Sequence, residues 1–413
     1  MSDHNRTGAV TLHDVAREAG VSYATASRAL NGSDRNVRAE NLARVQEAAG
    51  RLGYSPHVSA QAIARGSSNT VALIVGAVDD PYFASIADGV AEGAYQAGLT
   101  LTAAVTDRSP DMGLQIVRTM RGRRPRVILI AGSRVDDDGV YAALAEELAA
   151  YRRGGGRVAL LSRNDLDFPT LTVDHHGGAF RLAQALAGLG YRRFAVLHGD
   201  DRIRMSYDRR QGFLDGLRQA GIVPDPRHVV ATDLNRDGGH RAATALLSAG
   251  RDRPGSDPGR SPEAATPPGR NASHSPEATN PPGRNASHSP EATNPPGRNA
   301  SHSPEATNPP GRNASLSGGG SGAVEAIFAV NDVMAIGVMT AVREAGLVPG
   351  RDIAVAGFDD IDAARDVTPM LTSVRVPLRD LGRRALELAL ADDFPGIVEV
   401  QVEVVLREST PPR

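Results

Sequence analysis

Residues 10–31, VTLHDVAREAGVSYATASRALN, form the stretch that most constrains how this chain can fold. Thr11 and Asp14 have the spacing of a capping box, so a short helix is predicted to begin directly after Thr11. Gly20 is predicted to end that helix, because glycine takes the left-handed conformation without steric cost. Ser22 can then cap a second helix. Two short helices joined by a glycine-containing turn predict a helix-turn-helix.

The second helix of this stretch separates small apolar residues from polar ones. Ala26, Ala29 and Leu30 share a face that would pack inward, which leaves hydroxyl and guanidinium groups outside. Such groups suit contacts with phosphates and base edges, and Arg28 can bond guanine O6 and N7 together. The alternative is an ordinary helical hairpin inside a larger bundle. We expect the second helix to enter the major groove of DNA.

The stretch VTLHDVAREAGVSYATASRALNG resembles the N-terminal signature of the lactose/galactose repressor (LacI/GalR) family. Similarity continues along almost the whole chain except for one insert. The resemblance implies that HVSAQAIAR is a hinge helix that orders on operator DNA and places Ile63 in the minor groove, where the family usually has Leu. A plain linker is the alternative, because so short a helix is unstable alone in water. The residues predicted to contact DNA are Thr11, Ser22, Tyr23, Ala24, Thr25, Ser27, Arg28, Asn31 and Ile63.

The head of the chain is predicted to contain one more helix. Apolar residues recur at helical spacing from about residue 38 to residue 52. Arg38 stands where the resembled family commonly has a Ser-type cap, so this helix is expected to start less firmly. Residues 1–55 are therefore predicted to form a three-helix DNA-binding head, followed by a hinge helix and linker over 56–69.

From Thr70 onward, strand-like apolar runs such as VALIVGAV alternate with amphipathic helical segments. This alternation predicts parallel sheets covered by helices, hence an α/β fold class. The region is too long for one sheet, so residues 70–413 are expected to form two lobes, joined by strands crossing near Val173, Val376 and Val400. The resemblance implies the same two-lobed, periplasmic-binding-protein-like effector domain. The predicted lobes are 70–172 with 377–399, and 173–376 with 400–413.

Residues 251–322 interrupt the alternation with a repeated sequence. SPEAATPPGRNASH and then SPEATNPPGRNASH recur with a fourteen-residue period that begins at Ser261, Ser275, Ser289 and Ser303. The repeat contains Pro-Pro-Gly and almost no large apolar residue, so it cannot bury a core. We therefore predict a disordered loop insertion. Pro-rich repeats can also dock partner proteins, which is the alternative.

Polar residues follow several predicted strands, at the ends where open α/β sheets bind ligands. Carboxylates, amides and arginines can form paired hydrogen bonds with sugar hydroxyls, and an aromatic ring can stack on a sugar face. Each cluster alone can equally be a helix cap, a turn or core. The family resemblance supports a site, since VND, GFDD and DPYF match its motifs and Arg209 matches its effector-contacting arginine. The residues predicted to contact an effector are Asp79, Tyr82, Phe83, Arg163, His175, Arg209, Asn331, Asp332 and Asp359.

Composition limits the compartment and the chemistry. The chain has no Cys, which excludes disulfides and thiolate metal sites and suits a reducing cytoplasm. Its N-terminus, MSDHNRTGAV, has no apolar signal region, and no apolar run is long enough to span a membrane. We expect a cytoplasmic protein that contacts no membrane and uses no metal or cofactor.

These features together predict a ligand-controlled transcription factor, most often a repressor in the resembled family. We expect a homodimer or a tetramer that holds double-stranded, pseudo-palindromic operator DNA, with a sugar or sugar derivative as effector. A solute-binding protein without gene control is one alternative, and the helix-turn-helix argues against it. A cytosolic sugar-acting enzyme is another, but the sequence offers no nucleophile–base pair or phosphate loop. We therefore expect no enzymatic activity.

Overall fold

The computed structural model describes most of the chain outside the insert. Three predicted contact residues, Asn31, Ile63 and Arg163, lie outside the described residues, as do the repeats of the insert. The described residues are 10–30, 37–55, 67–132, 138–161, 166–251, 323–393 and 396–413.

In the described residues 10–30 and 37–55, the N-terminal head has three helices around a small apolar core. The predicted capping box is confirmed: the Thr11 side chain accepts from the Asp14 backbone N–H, and the Thr11 N–H donates to Asp14 at 3.1 Å. Gly20 follows the first helix with a φ of 61°, as predicted. Ser22 Oγ accepts from the Thr25 backbone N–H at 3.1 Å, which caps the second helix. The helices are α1 (Leu12–Glu18), α2 (Tyr23–Leu30) and α3 (Ala39–Leu52).

Small side chains let the helices of the head approach closely. Val15, Ala26 and Val45, one from each helix, are fully buried. Arg38 precedes α3 without a side-chain capping hydrogen bond, which agrees with the absence of a Ser-type cap at this position. A left-handed glycine, Gly53, ends α3.

The first α/β lobe is a six-stranded parallel sheet in the order β11, β5, β4, β3, β1, β2. One face packs against α4 (Pro81–Gln96) and α12 (Leu378–Leu390), and the other against α5 (Pro110–Arg123) and α6 (Asp138–Arg153). Cover on both faces explains why its central strands consist mainly of apolar residues. The strands are β1 (Thr70–Val75), β2 (Thr100–Val105), β3 (Val127–Ala131), β4 (Arg157–Leu161), β5 (Thr170–Val173) and β11 (Ile397–Val400).

The second lobe is a four-stranded parallel sheet in the order β7, β6, β8, β9. The paired helices of this lobe approach each other closely at glycines. A Cβ on Gly212 would lie only 2.0 Å from the His176 carbonyl oxygen, which is too close for any larger residue. The strands are β6 (Phe194–His198), β7 (Val229–Ala231), β8 (Ala326–Ala329) and β9 (Ala354–Ala356). The helices are α7 (His175–Gly188), α8 (Arg204–Gln219), α9 (Arg236–Arg251), α10 (Asp332–Glu344) and α11 (Ala363–Asp366).

The chain passes between the two sheets at three places. It leaves β5 for α7, and it leaves β11 for β12 (Glu403–Val405). The third passage runs from β10 (Ser373–Arg375), which pairs antiparallel with β12, into α12 of the first lobe. None of the helices in the described ranges combines the length and apolar composition that crossing a membrane requires.

Candidate ligand cleft and nucleic-acid interface

A cleft between the two lobes collects polar groups at the carboxyl ends of the strands. The space between its side chains measures about 1400 Å³, with the opening to solvent included. Each lobe contributes hydrogen-bonding groups. The polar side chains that line the cleft include Asp80, Tyr82 and Arg108 from the first lobe, and Arg209, Asn331 and Asp359 from the second.

Arg209, on α8, is fully buried and organises the second-lobe wall of the cleft. Its Nη2 donates to Asp359 Oδ1 at 2.6 Å, and its Nη1 donates to the Val330 carbonyl oxygen at 2.7 Å. Its Nε donates to His175 Nδ1 at 3.2 Å. The guanidinium carbon also lies 3.9 Å from the centre of the Phe358 ring. With all three nitrogens engaged, Arg209 holds the Asp359 carboxylate at a fixed position.

Asp359 is almost completely buried and occupies a strained backbone conformation. Its φ is 113°, a value that L-residues rarely adopt. Burial raises the pKa of Asp359 to about 6; the nearby Arg209 lowers it and the Asp80 carboxylate raises it. Strain and a perturbed pKa in one cleft residue are typical of a functional site.

His175 is the hydrogen-bond partner of Arg209 Nε. Burial, together with the positive charge of Arg209, lowers the pKa of His175 well below its usual value. The imidazole is therefore neutral at pH 7, and its Nδ1 is free to accept the hydrogen bond from Arg209. His175 is not among the side chains that line the cleft.

The first-lobe wall carries a second carboxylate–arginine pair. Asp80 Oδ1 caps α4 by accepting from the Tyr82 backbone N–H at 3.0 Å, and its Oδ2 lies 3.3 Å from Arg108 Nη2. Burial raises the pKa of Asp80, and Arg108 opposes that rise. Among the described residues, each arginine that lines the cleft thus has a carboxylate partner, so the charges balance.

The structure brings most of the predicted effector residues into this cleft, but not all of them. Asp79 is exposed and does not line it; its neighbour Asp80 does. Asp332 is fully buried away from the cleft, where it accepts from Ser373 Oγ at 2.6 Å and from the Ile361 N–H at 2.9 Å. The predicted residues that line the cleft are Tyr82, Phe83, Arg209, Asn331 and Asp359.

Two of the lining residues combine roles that the sequence left as alternatives. Asn331 caps α10 by accepting from the Met334 N–H at 2.9 Å, and it also faces the cleft. Phe83 is 7% exposed and belongs to the core, yet it also lines the cleft. Caps and core residues at strand ends therefore supply part of the cleft wall.

Sequence reasoning missed Arg108 and a set of apolar residues. Arg108 follows β2 in TDRSP, so the strand-end rule would have found it had the rule been applied to that strand. The apolar residues carry no such signal, because they lie within strands and helices. Within the described ranges, His, Asp and Glu form no cluster of three that could hold a metal ion.

Helix α2 presents the polar face expected of a DNA-reading helix. Ser22, Tyr23, Ala24 and Arg28 are exposed, while Thr25 and Ser27 are half-buried. The Tyr23 ring packs on the side chain of the α1 residue His13, with ring centres 4.4 Å apart. Thr11 is exposed at the start of α1. The opposite face of α2 is buried in the head through Ala26 and Ala29.

Three family models match the chain. "Bacterial regulatory proteins, lacI family" matches residues 11–57, and "Periplasmic binding proteins and sugar binding domain of LacI family" matches residues 68–257. "Periplasmic binding protein-like domain" matches residues 284–410. The two LacI-family models together span more than half of the chain.

Curated relatives and solved structures agree with these models. The HTH-type transcriptional regulator GalR of Escherichia coli (strain K12) is 27% identical over 384 residues, covering 92% of this chain and 88% of GalR. The HTH-type transcriptional repressor CytR of the same strain is 25% identical over 398 residues, covering 96% and 93%. The fold resembles the Lac repressor dimer bound to operator and the anti-inducer ONPF, with a TM-score of 0.68 at 21% identity, covering 98% and 100%. The chain belongs to the LacI family of bacterial transcriptional regulators.

Proposed function

We propose that this regulator is a homodimeric repressor that binds a pseudo-palindromic operator. We also propose that a neutral, hydroxyl-rich small molecule such as a sugar controls its affinity for that operator. The observation that carries the proposal is the buried Arg209–Asp359 pair, which faces a matching Asp80–Arg108 pair across the cleft. The names of GalR and CytR, and the operator-bound dimer of the Lac repressor structure, support it. Regulation of a bacterial operator would place the protein in the cytoplasm.

The charge pattern of the cleft favours an uncharged ligand. Its carboxylates can accept hydrogen bonds from hydroxyls, and Asn331 and Tyr82 add further polar contacts. A phosphate or carboxylate ligand would instead meet two carboxylates whose arginine partners are already engaged. We therefore propose that free sugars and glycosides bind, and that the corresponding sugar phosphates do not.

Contacts of Asp359 connect the cleft with a passage between the lobes. Its backbone N–H donates to the Val374 carbonyl at 2.8 Å, and its carbonyl accepts from the Val376 N–H at 3.2 Å. Val376 lies between β10 and α12, where the chain enters the first lobe. A ligand that contacts Asp359 and Asp80 together would favour one arrangement of the lobes. This preference would shift the equilibrium between the conformation that binds DNA and the one that does not.

Selection of random duplex DNA by the full-length protein tests the DNA half of this proposal. The expected product is an inverted repeat, bound more weakly when a ligand sugar is added in a fluorescence anisotropy titration. Enrichment of no sequence, or of a single asymmetric half-site, would contradict a homodimeric repressor. Turnover of any sugar in the same mixtures would instead support an enzyme.

Ligand affinity should depend on pH through Asp359. With a pKa of about 6, this carboxyl is ionised at pH 7 and protonated at pH 5, where it accepts hydrogen bonds poorly. Affinity should therefore fall about tenfold between pH 7 and pH 5. Isothermal titration calorimetry of the wild type and Asp359→Asn would measure this.

Two neighbouring groups shape that pH profile. Burial also raises the pKa of Asp80, which faces the cleft, so any pH dependence that Asp80 adds has the same sign as that of Asp359. Burial, and then the charge of Arg209, lower the pKa of His175 well below its usual value, and its imidazole does not line the cleft. An unchanged slope in Asp359→Asn would show that Asp359 is not the titrating group.

The insert is expected to be dispensable for operator binding and for the response to the ligand. Residues 252–325 connect α9 with β8, and the predicted disorder of the 251–322 insert stays a prediction because the repeats lie outside the described residues. Shortening a flexible connection roughly twelvefold changes the closure free energy by only about 2 kcal/mol. Deletion of residues 252–320 should leave operator binding and the ligand response intact, with an equal or slightly higher Tm. A deletion variant that misfolds would show that the insert is structured.

A further inference from the structure

Exposed arginines gather at one edge of the first-lobe sheet, where its parallel strands begin. Arg126 directly precedes β3, and Arg123 and Arg153 are the last residues of α5 and α6. Arg124 follows α5 in a left-handed conformation. All four side chains are exposed to solvent. We call this surface the basic edge and define it by Arg123, Arg124, Arg126 and Arg153.

Backbone contacts place these arginines next to one another. The Arg126 N–H donates to the Thr70 carbonyl oxygen at 2.8 Å, and the Arg126 carbonyl oxygen accepts from the Arg157 N–H at 3.2 Å. Only three glycines, 154–156, lie between Arg157 and Arg153. The basic edge therefore combines the starts of neighbouring strands with the ends of two helices. It lies at the amino ends of the strands, whereas the cleft lies at their carboxyl ends.

The positive charge of the basic edge is not compensated by nearby carboxylates. Two other arginines of α5, Arg118 and Arg121, pair with Glu147. Arg157 pairs with Asp392. In the part of the chain that the structure describes, no carboxylate lies within ion-pair distance of the four guanidinium groups of the basic edge. The whole chain has a net charge of -2, so this positive surplus is local.

Helix stability alone does not explain these residues. An arginine near a helix C-terminus interacts favourably with the helix dipole, which gives Arg123 and Arg153 a structural role. Arg126 has no such role, because it precedes a strand. Arg124 has a φ of 47° at a position where helices commonly have glycine. A partner that requires positive charge accounts for all four.

The DNA-binding head is joined to the chain beside the basic edge. Ser68, just before β1, donates to the Arg124 carbonyl oxygen through its N–H at 2.7 Å and through its Oγ at 3.1 Å. Residues 56–66, which lie outside the described residues, connect this point with the head. Eleven residues span at most about 40 Å even when fully extended. Duplex DNA held by the head is therefore within reach of the basic edge.

We propose that the basic edge is a second DNA-contacting surface, which binds phosphates of the duplex outside the half-site that α2 reads. Guanidinium groups form paired hydrogen bonds with phosphate oxygens, and such contacts do not depend on base sequence. Residues 1–66 contain eight Arg and six Asp or Glu, a surplus of only two positive charges. The basic edge would therefore supply much of the positive charge that faces the DNA. The proposal rests on DNA binding by the head and not on the dimer or the effector.

A triple variant removes most of this charge without touching the fold. Arg123→Gln, Arg126→Gln and Arg153→Gln are combined, whereas Arg124 is kept because of its left-handed backbone. The single variant Arg126→Gln is the milder second test. The matched control combines three exposed arginines at the corresponding edge of the second lobe, and it changes the net charge equally. It consists of Arg218→Gln, Arg227→Gln and Arg351→Gln.

Binding of the full-length proteins to a random-sequence duplex tests the basic edge without any knowledge of the operator. Fluorescence anisotropy between about 50 and 200 mM salt gives the slope of log K against log salt. The triple variant should lower the magnitude of that slope by about two to three per bound protomer, and Arg126→Gln by about one. The second-lobe control should change it by less than about one. Equal changes in the triple variant and the control, or an unchanged slope in the triple variant, would overturn the proposal.

Duplexes of two lengths locate the contact relative to the operator. One contains the selected operator alone, and the other adds about ten base pairs, one helical turn, on each side. At about 50 mM salt the wild type and the second-lobe control should bind the longer duplex about tenfold tighter. The triple variant should bind both duplexes equally. Equal affinities in the wild type would contradict the proposal. Failure to select an inverted repeat would contradict the homodimeric repressor instead, while the random duplex would still test the basic edge.

Discussion

Replacement of Asp359 by alanine is expected to lower the free energy of unfolding by about 3–5 kcal/mol, because it leaves a buried guanidinium without its carboxylate. The Arg209 side chain is 1% exposed, and Asp359 is its carboxylate partner at 2.6 Å. Loss of the carboxylate also leaves ligand hydroxyls unpaired. This should weaken the binding free energy of the effector by about 1–3 kcal/mol. In the cell, the variant should repress without responding to inducer. Urea denaturation and calorimetry would measure the two effects separately.

A carboxylate three residues further along the chain provides the matched control. Asp362 forms an exposed ion pair with Arg365, so Asp362→Ala should change stability by less than about 1 kcal/mol. Normal effector binding to Asp359→Ala would contradict the assignment of Asp359 to the ligand site. A stability loss no larger than that of Asp362→Ala would contradict the buried ion pair.

A double variant separates stability from recognition. Replacing Arg209 by Met and Asp359 by Leu removes both charges together and fills similar volume, so much of the lost stability should return. Effector binding should stay as weak as in Asp359→Ala, because the carboxylate that pairs with ligand hydroxyls is still absent. Recovery of effector binding together with stability would show that the charged pair only supports the fold.

The sequence predicts the location of the cleft better than the direction of each side chain. The strand-end rule finds the segments of Asp80, Asn331 and Asp359, because parallel strands place their carboxyl ends at one edge. It cannot choose between neighbours: Asp79 is exposed and Asp80 faces the cleft, since Asp80 is the residue that caps α4. Likewise Asn331 faces the cleft, while the next residue, Asp332, turns into the core.

Packing across elements explains what the sequence does not reveal. From the sequence, Ile130 and Leu144 are expected to be ordinary core residues of a strand and a helix. In the structure both are only half-buried and line the cleft. The buried network of Arg209 depends equally on tertiary structure, because it joins α8 to residues from three other segments of the chain. The head is more predictable, since its caps and glycine turn are local features.

Replacement of Arg28 by alanine should weaken binding to the operator by about 1–3 kcal/mol, or roughly tenfold to a hundredfold. Arg28 is exposed on α2, on the helix face opposite the buried Ala26. A guanidinium at that place can bond guanine O6 and N7 together, so its loss should affect sequence discrimination more than general affinity. Fluorescence anisotropy with the selected operator and with random duplex DNA, at one salt concentration, would measure both.

An arginine elsewhere in the head separates base reading from simple charge. Arg51, on α3, pairs with Glu18 at 3.3 Å and does not belong to the recognition helix. Arg51→Ala removes the same charge, so it should weaken binding to operator and to random DNA by similar, smaller factors. If Arg28→Ala does the same, with equal losses on both DNAs, Arg28 is a phosphate contact and does not read the base sequence. A loss confined to the operator would assign to Arg28 a direct part in recognising the half-site.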